Sequence, residues 1–386
     1  MTTEELHEQI TTLWRGMNSK QDFLHLLNMA NYGVYGEKAN PFTLQQLNYH
    51  SHPTRNKNRY FSFRIPKKKK GEFRRIDSPN PTLKSMQRSL NYVLQVIYHP
   101  HSAAMGFVPK RSIVSNAQAH TGKTYVYNID LENFFPTITS GRVFARLQAK
   151  PFSLNPTLAS LVADMCCYRN NFGYVLPQGA PTSPTLTNTI CEKLDIKLSR
   201  LASTYRLKYT RYADDITFSG MHNVFSDKGR FCQSLKHIIE DEEHFTINKN
   251  KTRLCPCSIQ QEVTGIKVNE KPNVSREYVK QIRTMIHNWE ILGYEQAQNI
   301  FASNYARTNT KHHAKKGNHH IENIVAGKLL FLKMVKGEGD GTYKKLNSRF
   351  ENLIKAKNGN ISLESIEPIL DTFEELDGLL QLMDSE

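Results

Sequence analysis

The sequence predicts an α+β fold that ends in a separate helical unit. Three observations support this class. Apolar residues recur at helical spacing through the first 50 residues, short strands are mixed with helices from about residue 60 to residue 269, and the pattern after residue 273 is helical. Strands and helices in this order are typical of the α+β class.

Local patterns predict the individual elements. The stretch YFSFRIPKKKKGEFRRIDSP alternates on both sides of a basic turn at Lys67–Gly71, which predicts two strands. Thr82–Tyr98 has helical spacing, and Tyr125–Leu131 is a short apolar strand. RLKYTRYADDITFSG predicts a hairpin with two acids at its turn, and HFTINKNKTRL and EVTGIKVN predict short strands. Leu363–Met383 predicts an acidic amphipathic helix.

Composition indicates a polyanionic partner. The chain has 386 residues, a formal net charge of +15 and a pI near 9.4, and basic residues gain affinity for nucleic acid by releasing counterions. No apolar run is long enough to cross a membrane, and the N-terminus lacks the pattern of a signal peptide. Six scattered cysteines predict a reduced, cytoplasmic protein rather than a disulfide scaffold.

Three acids are candidates for metal-dependent chemistry. Asp214 and Asp215 lie at the turn of the predicted hairpin, and Asp130 ends the apolar strand YVYNID. Carboxylates that converge from different strands hold two Mg²⁺ ions in enzymes of phosphoryl transfer. An Asp-Asp pair alone, however, is also ordinary turn chemistry.

The motifs around these acids resemble those of reverse transcriptases. YADD between two strands is similar to palm motif C, NIDLENFFPTI to motif A, and LPQGAPTSP to the loop of motif B, in the order A, B, C. The resemblance implies an RNA-directed DNA polymerase with two Mg²⁺ ions per active site. It also implies a right-hand fold: N-terminal helices and fingers (1–124), a palm with an antiparallel, ferredoxin-like core (125–272, with fingers helices around 141–205) and a helical thumb with an acidic C-terminal helix (273–386).

The same resemblance assigns roles to residues of this chain. The catalytic and metal-binding residues are Asp130, Asp214 and Asp215, and Leu131 beside Asp130 is a further metal ligand. Phe135 is implied to be a steric gate against a ribose 2′-OH and is alternatively a core residue. Lys251 resembles the motif D lysine that protonates pyrophosphate and is alternatively a surface lysine. The remaining positions expected to bind the dNTP are Lys70, Arg74, Gln178 and Gly179.

Two short motifs indicate the retron group of bacterial reverse transcriptases. Asn116-Ala117-Gln118-Ala119-His120 resembles the NAxxH element, and Val263-Thr264-Gly265 resembles the VTG element. Retron enzymes copy a structured non-coding RNA into a branched DNA from an RNA 2′-OH, and they act in antiphage defence with an effector protein. RNA contacts are expected at Asn116, His120, Val263, Thr264, Gly265, Lys328 and Lys333, where His120 is alternatively a core histidine and the lysines are alternatively solvated.

Two other hypotheses remain open from the sequence. The chain is alternatively another prokaryotic reverse transcriptase, from a group II intron or a diversity-generating element. Alternatively it is an RNA–DNA scaffold whose main role is to restrain a toxic effector. We identify no RNase H pattern after Asn269, because strands and a set of interior acids are missing there.

Overall fold

The structure is a computed structural model, and it describes residues 2–52, 58–66, 71, 73–171, 173–308 and 319–358. The described residues form two compact units. The larger contains those of 1–65, 73–119 and 123–257, and the smaller contains those of 66–72, 120–122 and 258–386. The division into fingers, palm and thumb at residues 124 and 272 stays a prediction.

Helices make up most of the described chain. In chain order they are α1 (Thr3–Gly16), α2 (Lys20–Tyr35), α3 (Leu44–His50), α4 (Pro81–Ile97), α5 (Ile113–Gln118), α6 (Ser140–Gln148), α7 (Pro156–Cys166), α8 (Ser183–Ile190), α9 (Glu192–Thr204), α10 (Arg230–Lys236), α11 (Arg276–Thr308), α12 (Ile321–Lys336) and α13 (Gly341–Asn358). A π-helical turn, His237–Glu242, continues α10.

The strands are short. In chain order they are β1 (Tyr60–Pro66), β2 (Phe73–Pro79), β3 (Tyr125–Glu132), β4 (Tyr168–Asn170), β5 (Gly173–Val175), β6 (Lys208–Tyr212), β7 (Asp215–Gly220), β8 (Thr246–Ile247), β9 (Arg253–Pro256), β10 (Glu262–Val263) and β11 (Ile266–Lys267).

The N-terminal helices begin at capping boxes and bury one apolar face. The Thr2 hydroxyl accepts a hydrogen bond from the amide of Glu5 at the start of α1. The Ser19 hydroxyl accepts one from the amide of Asp22 at the start of α2. The apolar residues at helical spacing, among them Ile10, pack into the main core of the larger unit. The predicted helical start of the chain is confirmed.

The central sheet of the larger unit is antiparallel, with β3 in its middle. β3 pairs with β7 along one edge and with β9 and β8 along the other, and β6 extends the sheet beyond β7. Val126 and Ile129 are buried, as expected of an apolar central strand. Mixed helices and an antiparallel sheet confirm the predicted α+β class and are consistent with a right-hand polymerase fold.

Two smaller hairpins, β1–β2 and β4–β5, belong to the same unit. Arg59, just before β1, is buried and donates hydrogen bonds to the carbonyl oxygens of His50, Asp164 and Cys167. These bonds attach the base of the β1–β2 hairpin to α3 and to the end of α7. The predicted pair of strands around a basic turn is therefore present, although Lys67–Lys70 lie outside the described residues.

The smaller unit contains the β10–β11 hairpin and the helices α11, α12 and α13. The helical segment α11 is broken at Gly293, whose φ of 76° no helix interior adopts. Trp289 packs edge-on against Phe350 of α13, and Leu329 of α12 is buried. The predicted helix at Leu363–Met383 lies outside the described residues. Within the described part of the chain, no helix has the length and apolar character needed to cross a bilayer.

Candidate active site

The three predicted acids come together at one end of the central sheet. Asp130 lies near the end of β3, directly opposite Asp215 on β7, so the two side chains share one face of the sheet. The amide of Leu131 donates to the carbonyl oxygen of Asp214 at 3.1 Å. The side chain of Leu131 is apolar and buried, so only its main-chain carbonyl is available as a metal ligand.

The turn between β6 and β7 presents the other two acids. Tyr212 and Asp215 are the last paired residues, so Ala213 and Asp214 form a two-residue turn. Ala213 has a φ of 55°, in the left-handed region that non-glycine residues seldom adopt. Asp214 is half-buried and Asp215 is exposed. The tight turn therefore brings two carboxylates from adjacent positions to the end of the sheet that carries Asp130.

The electrostatics of the cluster favour a bound cation. Burial, followed by the negative charge of Asp130, raises the pKa of Asp214 above its ordinary value. The positive charges of Lys251 and Arg74 act in the opposite direction on the same carboxyl. Like charges that lie this close disfavour full ionisation unless positive charge compensates them. A divalent cation would supply that charge.

Asp130 has two hydrogen-bonding partners in the loop between β8 and β9. Lys251 Nζ donates to Asp130 Oδ1 at 2.8 Å, and Asn248 Nδ2 donates to Asp130 Oδ2 at 3.1 Å. The amide of Asn248 also donates to the carbonyl oxygen of Asp130 at 2.8 Å. Burial would lower the pKa of Lys251, but the hydrogen bond to Asp130 and the three nearby acids raise it above its ordinary value. Lys251 is therefore a cation held beside the acids.

The donor set fits a hard divalent cation. Carboxylate and carbonyl oxygens are the ligands that Mg²⁺ prefers. Within the described residues, no three acid, histidine or cysteine side chains form a ready-made metal cluster. Both oxygens of the Asp130 carboxylate accept hydrogen bonds, from Lys251 and from Asn248. Each carboxylate oxygen has a further lone pair, so a cation could bind Asp130 while these donors stay in place.

A backbone hydrogen bond connects the strand that carries Arg74 to the motif B loop. Arg74 is exposed on β2, and the amide of Asp77 on the same strand donates to the carbonyl oxygen of Gln178 at 2.8 Å. Gly179 has a φ of 124°, and a Cβ built on it would lie 2.8 Å from Ile76 Cγ2. The loop therefore approaches β2 as closely as only glycine permits. Lys70, the other predicted fingers cation, lies outside the described residues.

Phe135 is linked through Phe107 to Tyr212, the residue before the turn of motif C. Its ring is 6.4 Å from that of Phe107, which is in turn 6.5 Å from the ring of Tyr212. Phe134 is buried, at 3% exposed, whereas Phe135 is only half-buried. A half-buried ring keeps part of its surface accessible, as a steric gate requires. Its role in sugar selection stays a prediction.

The predicted RNA-binding motifs lie largely in the interior. Asn116 is 1% exposed and accepts a hydrogen bond from Thr210 on β6, and His120 is 0% exposed. Thr264 and Gly265 form the turn of the β10–β11 hairpin, with positive φ values of 47° and 78°. Val263 beside them is buried. The buried side chains offer RNA no surface, so an RNA-binding role at these positions stays a prediction that burial does not favour.

The predicted thumb lysines make contacts within their own unit. Lys328 Nζ lies 4.6 Å from the ring centroid of Tyr278 and donates to Gln281 Oε1 at 2.9 Å. Lys333 Nζ lies 3.1 Å from a carboxylate oxygen of Glu338. Both ammonium groups are thus partly satisfied before any phosphate binds. Their contact with RNA stays a prediction.

Comparison with known proteins identifies the family. A family model described as reverse transcriptase (RNA-dependent DNA polymerase) matches residues 65–295, more than half of the chain. The chain belongs to the reverse transcriptase family. As the resemblance predicted, it is of the bacterial retron kind, and its activity is RNA-directed DNA polymerisation.

Two curated relatives of this reverse transcriptase are retron enzymes. The retron Ec86 reverse transcriptase of Escherichia coli is 35% identical over 244 residues, which are 60% of this chain and 70% of that protein. The retron Mx162 reverse transcriptase of Myxococcus xanthus is 39% identical over 258 residues, or 59% of this chain and 52% of that protein. A solved structure of telomerase from Candida albicans in complex with a telomeric RNA fragment covers 81% of this chain and 66% of that chain, with a TM-score of 0.41 and 10% identity.

Sequence reasoning missed one residue of this reverse transcriptase that touches the acids. Asn248 binds both the carboxylate and the main-chain carbonyl of Asp130, although in the sequence it is one polar residue among several in INKNKTR. The available signal was that Asn248 lies three residues before Lys251, because a turn brings residues at this spacing to the same side. The amide of Lys251 indeed donates to the carbonyl oxygen of Asn248 at 3.1 Å.

Proposed function

We propose that this reverse transcriptase copies a structured non-coding RNA into a single-stranded DNA that stays branched from an RNA 2′-OH. We place this activity in the cytoplasm, in antiphage defence with an effector protein. The observation that carries the proposal is the convergence of Asp130, Asp214 and Asp215 with Lys251 beside them. Similarity to retron enzymes supports the branched product, and the net charge of +15 supports an RNA partner.

The three carboxylates would hold two Mg²⁺ ions, with the main-chain carbonyl of Leu131 as a further ligand. Bound there, the ions would activate the attacking hydroxyl and stabilise the pyrophosphate that leaves. The β3–β7 pairing fixes Asp130 and Asp215 on rigid strands, so little reorganisation is needed when substrate arrives. Burial, followed by the negative charge of Asp130, raises the pKa of Asp214, and bound cations would relieve that repulsion.

Other residues would bind and orient the incoming dNTP. Arg74 on the exposed part of β2 would bind the triphosphate, since arginine forms strong, often bidentate bonds to phosphate. Gln178 and Gly179 would lie along the nascent base pair, and Phe135 would exclude a ribose 2′-OH. Lys251 Nζ, held protonated by Asp130, would donate a proton to the pyrophosphate as it leaves.

The RNA partner would be recognised through its shape and its phosphates. Proteins read folded RNA mostly by backbone and 2′-OH contacts rather than by base edges. Lys328 and Lys333 of α12 would be part of that surface, together with other basic residues of the helical unit. RNA phosphates would replace Gln281 as the partner of Lys328 and Glu338 as the partner of Lys333.

The proposal is tested by expressing the gene with its upstream flanking DNA and extracting small nucleic acids. These are run on a denaturing gel with and without RNase A and debranching enzyme. The variant Asp214→Asn/Asp215→Asn removes two acids, and Asp241→Asn, at an exposed position of the same unit, is the matched control. We expect a branched DNA from the natural protein and from the control, and none from the double variant.

Two outcomes would contradict different parts of the proposal. DNA synthesis by the double variant would show that Asp214 and Asp215 are not catalytic. If no branched DNA forms, but the purified protein extends an oligo(dT) primer on poly(rA), the polymerase activity stands and the retron product does not.

A further inference from the structure

A buried ion pair lies directly beneath the turn that carries Asp214 and Asp215. Arg211, on β6 just before the turn, is 0% exposed, and so is Asp195 of α9. Arg211 Nε donates to Asp195 Oδ1 at 2.8 Å, and Arg211 Nη2 donates to Asp195 Oδ2 at 2.6 Å. The hydroxyl of Tyr209 also donates to Asp195 Oδ1, at 2.7 Å. The guanidinium is therefore fixed in position by a bidentate partner.

From this fixed position the guanidinium reaches the turn itself. Arg211 Nη1 donates to the carbonyl oxygen of Ala213 at 3.2 Å, inside the two-residue turn. Arg211 Nη2 also donates to Asn188 Oδ1 at 3.1 Å, and Asn188 Nδ2 donates to the carbonyl oxygen of Gly106 at 3.0 Å. One continuous network thus joins α8, α9 and the 103–106 segment to the turn.

The 103–106 segment contacts the turn from a second side. The amide of Arg211 donates to the carbonyl oxygen of Ala103 at 2.8 Å, and the amide of Met105 donates to that of Arg211 at 2.7 Å. A Cβ on Gly106 would lie 2.7 Å from the Ala213 amide nitrogen. The turn therefore rests against bare backbone at Gly106, while Arg211 holds its carbonyl oxygen.

The turn needs such a support. Ala213 has a φ of 55°, a conformation that persists for alanine only where the surroundings impose it. A buried ion pair is a poor source of net stability compared with apolar packing, but it fixes geometry. Arg59 provides a contrast, because that buried arginine donates to carbonyl oxygens of α3 and of the α7 end rather than to the turn.

We propose that the Arg211–Asp195 ion pair is a positioning device that fixes the Ala213 carbonyl and so aims the carboxylates of Asp214 and Asp215 toward Asp130. This inference rests on the proposed function of those acids as metal ligands. Arg211 touches neither substrate nor metal in this arrangement. Its substitution acts on metal affinity and on the rate of the chemical step, because residues that orient metal ligands typically contribute about 10- to 100-fold to metal affinity or activity.

The test compares Arg211→Lys with Arg59→Lys in the full chain. Both changes keep a positive charge and remove the planar fork of a buried arginine in the larger unit. Primer extension on poly(rA) with oligo(dT) is measured as Mg²⁺ is varied, and thermal melting reports stability. We expect Arg211→Lys to need about tenfold more Mg²⁺ for half-maximal rate and to lose about tenfold in kcat, with the KM for dTTP unchanged. Arg59→Lys keeps the Mg²⁺ dependence of the natural protein.

A milder variant keeps the test decisive if Arg211→Lys fails to fold. Tyr209→Phe removes one hydroxyl donor to Asp195 and leaves the ring in place, so it shifts the Mg²⁺ dependence in the same direction by a smaller factor. If Tyr209→Phe and any folded Arg211→Lys show the Mg²⁺ dependence of Arg59→Lys, the positioning role is overturned. DNA synthesis by Asp214→Asn/Asp215→Asn in the same assay would instead overturn the proposed function.

Discussion

Gly179 offers a sharp test of the contact between β2 and the motif B loop. Its φ of 124° is one that alanine rarely adopts, and an added Cβ would lie 2.8 Å from Ile76 Cγ2 and 3.2 Å from the carbonyl oxygen of Asp77. Gly179→Ala therefore has two costs. One is backbone strain, and the other is a displacement of the strand that carries Arg74.

The structure gives the size of each effect. An alanine in such a backbone conformation costs about 1–3 kcal/mol of folding free energy. Carbon atoms in contact lie about 3.5–4.0 Å apart, so the Cβ of Ala at position 179 would push Ile76 away by about 1 Å. A misplacement of that size in a binding site costs up to about 100-fold in rate. We expect kcat/KM for the dNTP to fall by about 10- to 100-fold.

Gly173→Ala is the matched control. Gly173 has a φ of 105°, but a Cβ there would meet no heavy atom within 4 Å among the described residues beyond its chain neighbours. Both variants should lose stability through backbone strain, with the larger loss in Gly179→Ala because of its contact with Ile76, and only Gly179→Ala should lose kcat/KM in steady-state primer extension. If the two variants have the same kcat/KM, the contact between Gly179 and Ile76 does not position β2 for dNTP binding.

Two further predictions concern the acids and the steric gate. Phe135→Ala should reduce the preference for dNTP over rNTP, measured as a ratio of kcat/KM values, by about 10- to 100-fold, whereas Phe134→Leu should lower stability without changing that ratio. Because burial and Asp130 raise the pKa of Asp214 in the folded state, the folded chain holds the proton more tightly than the unfolded chain. The Asp214 carboxyl therefore lowers the free energy of unfolding progressively as the pH rises above the ordinary pKa of the group, 3.8. Asp214→Asn should raise the melting temperature at pH 7 in EDTA. An equal rise for Asp227→Asn, at an exposed position, would contradict this expectation.

Local patterns were sufficient to predict the strands that carry the three acids, whereas the choice of these acids as candidates depended on the resemblance. The apolar strand before Asp130 and the two apolar runs around Asp214 and Asp215 are short-range signals, and each became the expected strand or hairpin. Their convergence was predictable only through the resemblance, because periodicity does not specify which strands become neighbours. Asp130 lies opposite Asp215 because β3 and β7, which are far apart in the sequence, pair in that register.

The supporting residues could not be predicted from local pattern. Asp195 lies in EKLDIKLSR, where an acid on an amphipathic helix normally indicates a solvated face. The structure buries it completely because Arg211 neutralises it. Strand alternation indicates only that Arg211 and Tyr209 share a face. Asp77 is similar, since its buried carboxylate accepts hydrogen bonds from Ser62, Arg75 and Tyr168, which are scattered along the chain.

The central position of β3 has a consequence for the order in which the chain is synthesised. Translation produces β3 first, then β7 and, later still, the β8 and β9 segments that flank Asn248 and Lys251. Until β9 leaves the ribosome, one edge of β3 has unpaired backbone groups, and such an edge readily pairs with another chain. The strand that supplies Asp130 is therefore open to association between nascent chains until its last partner has been made.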